Sequence, residues 1–299
     1  MNNQELLRQR PEIFDNTIIS TYTKCPRKLY WFLRGIRADT TPPYFTFGRA
    51  WGAFQGSWHT ERNQKAALDT ARALWTKEMP QEAGDNTLEN LIEMIELYTQ
   101  FYSAPEPWEV VGSEMGFQLP LSKSSSILYA GALDQELIWE PYGTVIKEDK
   151  TTGLYIGKTY MAQWDFSTQV TGYHWAGQEI LGKEIFGVLM NFASKKRRKD
   201  NELRFMRDVQ KRSRDALETW RNDTLRICLT IQKEWDTWEW LPLGTRNPST
   251  CAGGPGMSAC EYNVLCRMEV PFTQINPLAL SGFKEVATWE PWNRLGEDE

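Results

Sequence analysis

Three residues in the middle of the chain have the types and spacing that metal-assisted hydrolysis needs: Asp134 in GALDQELI, and Glu148 and Lys150 in VIKEDK. In an extended strand, side chains two apart share a sheet face, so Glu148 and Lys150 point together while Asp149 points away. Asp134 lies fourteen residues before Glu148, on what reads as the preceding strand of a hairpin, where a short turn brings the two carboxylates side by side. Hard divalent cations such as Mg²⁺ or Mn²⁺ take carboxylate oxygens and keep waters for a phosphate substrate and its nucleophile. Such an ion polarises the scissile phosphate and generates hydroxide near neutral pH. Lys150 would orient or deprotonate the water and offset charge building on the phosphate. An ordinary solvated hairpin also carries Asp, Glu and Lys on its outer face, so these residues alone leave both readings open.

Sulfur makes a second constellation. Cys251, Cys260 and Cys266 cluster in CAGGPGMSACEYNVLC, and Cys25 stands near the other end in TKCPRKLYW. Cys228 sits at an apolar position of the helical segment TLRICLTI, the setting of an inert buried thiol. The opening residues lack an apolar stretch suited to a signal peptide, and five cysteines in 299 residues then argue against a disulfide framework. Four thiolates suit either Zn²⁺ or an iron–sulfur cluster, and spacing alone does not choose between them. The absence of paired C-x-x-C knuckles argues against a zinc ribbon. Bonding Cys25 to the C-terminal three would close a loop of about 240 residues, which restricts the unfolded chain strongly. A structural role is therefore sufficient.

The elements that must position these groups announce themselves by changes of period. From Ile18 to Gly35 the chain reads as a helical start capped around Ser20 or Thr21, with Pro26 inside it. Gly48 to His59 reads as a helix whose Trp51, Phe54 and Trp58 share one buried stripe. Two amphipathic segments, about Glu61–Met79 and Asn86–Tyr102, flank the breaker-rich PQEAGDN and look like a helical insertion. The pattern then alternates: WEVVGSEMGFQLPL, ILYAGALDQELIW and TVIKED read as an antiparallel meander, with a turn at Glu140–Gly143. An amphipathic helix from Ser167 to Leu181 and an apolar strand FGVLMNF follow. From about Asp200 to Trp238 the chain reads as charged and helical, and the tail from Leu241 is rich in Pro, Gly and Cys. No repeat is evident.

With 41% hydrophobic residues the chain can bury one sizeable core with a helical elaboration. A net charge of −5 is the wrong sign for a protein that coats DNA non-specifically. The distribution is uneven, however: Lys195, Lys196, Arg197, Arg198 and Lys199 form a basic run, with Arg204, Arg207, Lys211, Arg212 and Arg214 following. A solvated surface and a DNA-binding surface are both compatible with it.

The order of these features resembles the PD-(D/E)XK nuclease superfamily, in its RecB-type branch. The pattern there is a Gly-x-x-Asp strand, a strand ending in (D/E)-x-K-T and a helix carrying Gln-x-x-x-Tyr; here these are Gly131 with Asp134, Glu148 with Lys150 and Thr151, and Gln169 with Tyr173. The resemblance implies Asp134 and Glu148 as metal ligands, Lys150 as the catalytic lysine, and Gln169 and Tyr173 as an active-site pair touching DNA. One cysteine in a CPRK segment and three at the C-terminus are similar to AddB-type and CRISPR-associated exonucleases, which implies a [4Fe–4S] cluster on Cys25, Cys251, Cys260 and Cys266. Their close cysteine pair is replaced here by Cys251 and Cys260, eight residues apart in between. The family also places a histidine in a Gly-x-x-x-His helix, where this chain has Gly52 in FGRAWG. His59, on the same helix face roughly 10 Å farther along, is a candidate metal ligand in its stead, and Glu114 is a further one.

The resemblance runs from about Ile18 to Cys266 and implies an α/β restriction-endonuclease-like core: a mixed sheet begun by the meander, flanked by helices, with the termini meeting at the cluster. The expected organisation is an N-terminal segment (1–50), a helical region (51–105), the nuclease core (106–192), a helical and cysteine-rich closing region (193–270) and a tail (271–299). The expected activity is metal-dependent DNA hydrolysis, as an exonuclease in recombination, repair or end processing, in the cytoplasm of a prokaryotic or phage-infected cell. A helicase or recombination partner fits that work, and no membrane is expected. The alternative is a non-catalytic DNA-binding or scaffold protein that keeps the fold and cluster.

Overall fold

The structure is a computed structural model that describes residues 10–237, 245–252, 259–268, 274–287 and 290–293. Expectations for the first nine residues, for the helix end at Trp238 and for parts of the tail lie outside them. In chain order the elements are β1 (Ile13–Phe14), α1 (Asn16–Lys24), α2 (Pro26–Leu33), β2 (Ile36–Ala38), α3 (Pro43–Glu61), α4 (Gln64–Glu78), α5 (Leu88–Phe101), β3 (Glu109–Pro120) and β4 (Leu128–Trp139). They continue with β5 (Gly143–Thr152), α6 (Lys158–Ala162), α7 (Thr168–Leu181), β6 (Gly187–Ser194), β7 (Phe205–Gln210), α8 (Arg214–Thr237), α9 (Pro248–Cys251), α10 (Asn263–Arg267) and β8 (Phe283–Glu285). The chain is a mixed α/β protein, and no helix among the described residues is long and apolar enough to cross a membrane.

Two compact units interleave along the sequence. One comprises Met1–Thr40, Gln118–Gly131 and Arg221–Glu299; the other comprises Thr41–Phe117 and Ala132–Trp220.

In the second unit, β4 and β5 pair antiparallel, β5 and β6 parallel, and β6 and β7 antiparallel. The parallel step requires a crossover, and α7 supplies it. GVLMNFAS of β6 is buried at every position, the near-continuous apolar run of a strand covered on both faces. Helix α3 starts on Pro43, whose fixed φ suits the first turn. Its Trp51, Phe54 and Trp58 do form one buried stripe, packed with Tyr98 of α5 and Phe205 of β7. Helix α7 is capped by Ser167, whose Oγ accepts from the Val170 N–H, and stops at Gly182 in the left-handed conformation (φ 60°). A Cβ on Gly177 would stand 2.9 Å from Ile146 Cγ1, so glycine there lets α7 sit close against β5.

In the first unit, β1 pairs in parallel with the first residues of β4, and β2 pairs antiparallel with β8. Tyr30, Trp31, Ile36, Trp235, Tyr262 and Leu265 form its buried cluster.

Two expectations need correction. The stretch expected to be helical from Asp200 opens with a single 3-10 turn, Asn201–Arg204, and then strand β7, and the α-helix begins only at Arg214. FMRDVQ alternates, but with charges at its middle, and the partial burial of Arg207 depends on partners about a hundred residues away. The first helix is capped by Asp15, whose Oδ1 accepts from the Ile18 N–H at 2.8 Å, not by Ser20 or Thr21. Pro26 then opens a second helix, because the residue before a proline is driven out of the helical region.

Candidate active site

The β4–β5 register pairs Gln135 with Lys147, which sets Asp134 opposite Glu148 at the next position. The Glu148 side chain is 4% exposed. Lys150 Nζ forms an ion pair with Glu148 Oε1. From the crossover helix, Gln169 Nε2 donates to the same oxygen at 3.3 Å and to Tyr173 Oη at 3.1 Å. Asp134 Oδ2 accepts the Asp149 backbone N–H at 3.0 Å. Thus Asp134, Glu148, Lys150, Gln169 and Tyr173 come together, as strand alternation and the i, i+4 spacing on α7 require.

Burial, and then the neighbouring Asp134 carboxylate, push Glu148 up to about 8 against the pull of Lys150. Glu148 Oε2 is buried and meets no hydrogen-bond donor among the described residues. Two like-charged groups in low dielectric are favourable only with a shared proton or with a cation between them. The donor set, hard carboxylate oxygens with one undonated, fits a small divalent ion such as Mg²⁺ or Mn²⁺. Only two carboxylates contribute: among the described residues no group of three or more His, Cys, Asp or Glu side chains gathers as a metal site.

The opposite face of β5 has another character. Lys147 Nζ, with no exposed surface in its side chain, is paired with Asp149 Oδ2 at 2.6 Å and approaches Gln55 Oε1 at 3.5 Å. Asn191 Nδ2 donates to Asp149 Oδ1 at 2.6 Å and lies within 3.1 Å of Gln55 Oε1 and 2.9 Å of Tyr98 Oη. Arg207 donates to Glu106 through both terminal nitrogens, at 2.7 and 2.8 Å, and to Tyr98 Oη at 2.9 Å. Burial works against charge on Arg207, but Tyr98 and Glu106 outweigh it and push its pKa up. Burial pulls Lys147 down, with Asp149 holding against it.

His59 belongs to this second face. Its Nε2 lies 3.0 Å from Gln55 Oε1 and 3.4 Å from Tyr98 Oη. Burial first, then the charges of Lys147, Arg207 and Arg62, hold its imidazole well below the usual histidine range and so neutral. The structure does not bring it to Glu148. A cavity of about 520 Å³ opens on this side, lined by His59, Arg62, Glu106 and Trp108 among others; none of the five clustered residues lines it. A Cβ on Gly52 would meet nothing within 4 Å. Glu114 lies in β3 with a left-handed backbone (φ 49°).

The basic run is largely engaged within the unit. Lys195 is buried, with Nζ 2.6 Å from Asn86 Oδ1, and burial pulls it down to about 8. Lys196 pairs with Asp85 at 2.8 Å, and Arg197 with Glu93 at 2.8 Å and Glu89 at 3.3 Å. Arg198 lies over the Tyr155 ring, 4.9 Å from its centroid, and Lys199 is exposed.

In the first unit Cys25 lies near Cys260, and Cys251 and Cys260 near Cys266, but among the described residues no three of these thiols gather as a metal site. Asn247 caps α9 and donates to the Lys24 carbonyl at 2.8 Å, which sets that helix beside Cys25. The Cys260 N–H donates to the Cys251 carbonyl at 3.1 Å. Burial pushes the Cys260 and Cys266 thiols up, and neighbouring thiols add to it: Cys25 acts on Cys260, and Cys251 and Cys260 act on Cys266. The donor chemistry suits a soft metal or an iron–sulfur cluster. Residues 253–258, between Cys251 and Cys260, lie outside the described residues. Cys228 is fully buried, and burial raises its pKa strongly.

Sequence reasoning missed Tyr160, which follows β5 on α6. Burial raises its pKa, while side-chain hydrogen bonds with Thr152 and Trp164 and the charge of Lys150 act the other way. It also missed the whole Lys147–Asp149 network. The alternation in IKEDK signals that the two residues share a face, but nothing nearby in sequence names Gln55, Tyr98, Glu106 or Asn191 as their partners.

No family model and no curated protein matches this chain. The solved structure of SSO0001 is similar over 75% of this chain and 84% of that one, at 10% identity and a TM-score of 0.29. A likeness that weak leaves the functional reading to the chain's own residues.

Proposed function

We propose that the chain is a divalent-cation-dependent deoxyribonuclease with a PD-(D/E)XK core of the RecB-type branch, acting as an exonuclease in recombination, repair or DNA end processing. The observation that carries the reading is Glu148: a buried carboxylate with a second one against it and an oxygen that meets no donor among the described residues. Leaving a buried charge uncompensated is costly, and perturbed, under-satisfied groups of this kind cluster at functional sites.

A bound Mg²⁺ or Mn²⁺ would supply Lewis acidity at a phosphate oxygen and a lowered pKa for a water. Asp134 and Glu148 offer the oxygens to hold it. Lys150 fixes Glu148 by its ion pair and, with a side chain 25% exposed, keeps a cation within reach of a phosphate and of charge developing on it. Gln169 orients Glu148 from the other side and is itself held by Tyr173. In the first unit, Cys25, Cys251, Cys260 and Cys266 would hold a structural [4Fe–4S] cluster, a reading that rests on the donor chemistry of four thiolates; structural Zn²⁺ is the competing occupant. Cytoplasmic work beside a helicase or recombination partner belongs to the same reading.

The test is digestion of end-labelled single- and double-stranded DNA by anaerobically purified protein in Mg²⁺ or Mn²⁺, beside Glu148→Ala and Lys150→Ala. Metal-dependent cleavage lost in both variants is the expected result. Absence of cleavage with every metal would sink it. Iron, sulfide and zinc content of the same preparation, and of Cys260→Ala, decides the cluster. A second reading, a non-catalytic DNA-binding protein with the same fold, is favoured by Gly52, where the family's helix carries a histidine and α3 leaves open space; it predicts tight DNA binding without hydrolysis.

A further inference from the structure

The cavity of about 520 Å³ at the end of α3 has His59, Arg62, Glu106 and Trp108 in its wall and stands apart from the residues clustered around Glu148. The His59 side chain is 1% exposed, and its neighbours fix its hydrogen-bonding roles. Lys147 Nζ, which can only donate, approaches Gln55 Oε1 at 3.5 Å. Asn191, oriented by Arg207 Nε on its Oδ1 at 3.2 Å, donates to the same oxygen at 3.1 Å. That atom is therefore an acceptor, and the His59 nitrogen 3.0 Å from it, Nε2, carries the ring proton. Burial and the charges of Lys147, Arg207 and Arg62 keep the imidazole neutral, so Nδ1 is a lone pair.

Nδ1 makes no hydrogen bond among the described residues, and Glu106 Oε1, also an acceptor, stands 3.8 Å from it. The Glu106 side chain is 9% exposed. Two buried acceptors side by side call for a donor that reaches both. Charge decides what kind. Arg62 and Arg207 both pair with the single Glu106 carboxylate, so the group carries a net positive charge, which disfavours an ammonium and favours a neutral N–H. Glu109 also lines the cavity but is exposed, where water screens it.

The same positive charge suits an anion at the mouth. Arg62, with a side chain 31% exposed, is 3.4 Å from Glu106 Oε1, long for a charged hydrogen bond, and spends one Nη2 proton on the Ala104 carbonyl at 2.8 Å. A guanidinium has five N–H groups, which leaves donors for an incoming ligand. Trp108 and Val111 add apolar wall, against which a planar ring can lie.

We propose that this cavity is a second binding site, for a nucleotide whose base carries an amino group. The amine donates to His59 Nδ1 and Glu106 Oε1, the ring lies against Trp108, and the phosphate meets Arg62. The site does not depend on hydrolysis at Glu148.

The experiment is isothermal titration calorimetry in EDTA, where no divalent ion at Glu148 can hold a phosphate. The probes are dAMP, deoxynebularine monophosphate, which has hydrogen in place of the amine, and deoxyadenosine, which lacks the phosphate. Binding of dAMP is expected, about tenfold or more tighter than binding of the analogue, which leaves two buried acceptors unpaired. Deoxyadenosine should bind about tenfold weaker than dAMP. Arg62→Gln should bring dAMP down to the level of deoxyadenosine, and His59→Phe should erase the preference for the amine, with circular dichroism checking both folds. The wild-type series decides even if a variant does not fold. No binding of dAMP means that solvent serves the two acceptors, and the proposal falls. Equal affinity for dAMP and its deaminated analogue, or undiminished dAMP binding by folded Arg62→Gln, also overturns it. The nuclease reading is decided separately, by cleavage in the presence of metal.

Discussion

Strand β5 buries ionisable groups on both faces, and the faces treat them differently. Lys147 and Asp149 face α3, where each charge has a counter-charge and Gln55 Oε1, Asn191, Tyr98, Arg207 and Glu106 join them in a network, although Gln55 Nε2 meets no acceptor among the described residues. Glu148 and Lys150 face α7, where a second carboxylate, Asp134, unbalances the pair and Glu148 Oε2 meets no donor among the described residues. The same strand, in four consecutive residues, thus carries a compensated polar core and an under-compensated site. Burial of charge does not by itself mark function. What separates the two is whether the fold completes the electrostatics or leaves them for a ligand to complete.

The contrast is broken most forcefully through activity. Replacing Glu148 by Gln or Lys150 by Met should reduce DNA cleavage by on the order of 10²- to 10⁴-fold with the far-ultraviolet circular dichroism unchanged. A comparable, specific loss in Asn191→Leu with the fold intact would mean that chemistry resides on the other face.

Stability should respond in the opposite sense. Asp149→Ala leaves the buried Lys147 ammonium unpaired and is expected to lower unfolding free energy by about 3–5 kcal/mol, read from urea midpoints. If it is tolerated, the compensated face is not structural.

Glu148→Gln should instead stabilise the metal-free protein, by about 1–3 kcal/mol. The folded state raises the Glu148 pKa to about 8 from an unfolded value of roughly 4.3, so the folded state binds the proton more tightly. The Glu148 contribution to wild-type stability in EDTA is therefore fully present below the unfolded pKa and is lost as pH rises through that window. The variant should lack this decline, and Mg²⁺ should reverse it in the wild type. A pH-independent difference between the two proteins would remove the like-charge explanation.

The smallest effect is expected at His59. Since it lies with the compensated face, His59→Gln should keep metal-dependent cleavage within about twofold at constant pH. Loss of cleavage with unchanged stability would bring His59 back as a ligand.

The elements around the site were largely legible in the sequence because their signals are local. The stripe of Trp51, Phe54 and Trp58, the alternation of β4 and β5, and the amphipathic stretch from Ser167 to Leu181 each depend on residues within a few positions of one another. Strand β7 was not legible: its middle is charged, and it is partners far away in the chain, Tyr98 and Glu106 among them, that partly bury Arg207.

By itself the sequence determined the parity of β5, and with it that Glu148 and Lys150 act on one face and Lys147 and Asp149 on the other, because side-chain alternation is a property of the backbone. It also determined that Gln169 and Tyr173 share a helix face. Tertiary structure alone decided which face would be balanced. That depends on α3 delivering Gln55 and His59, and β7 delivering Arg207, to one side, while α7 delivers only a neutral amide and a phenol to the other. Electrostatic compensation is a sum over neighbours brought from distant parts of the chain, and no local pattern encodes it.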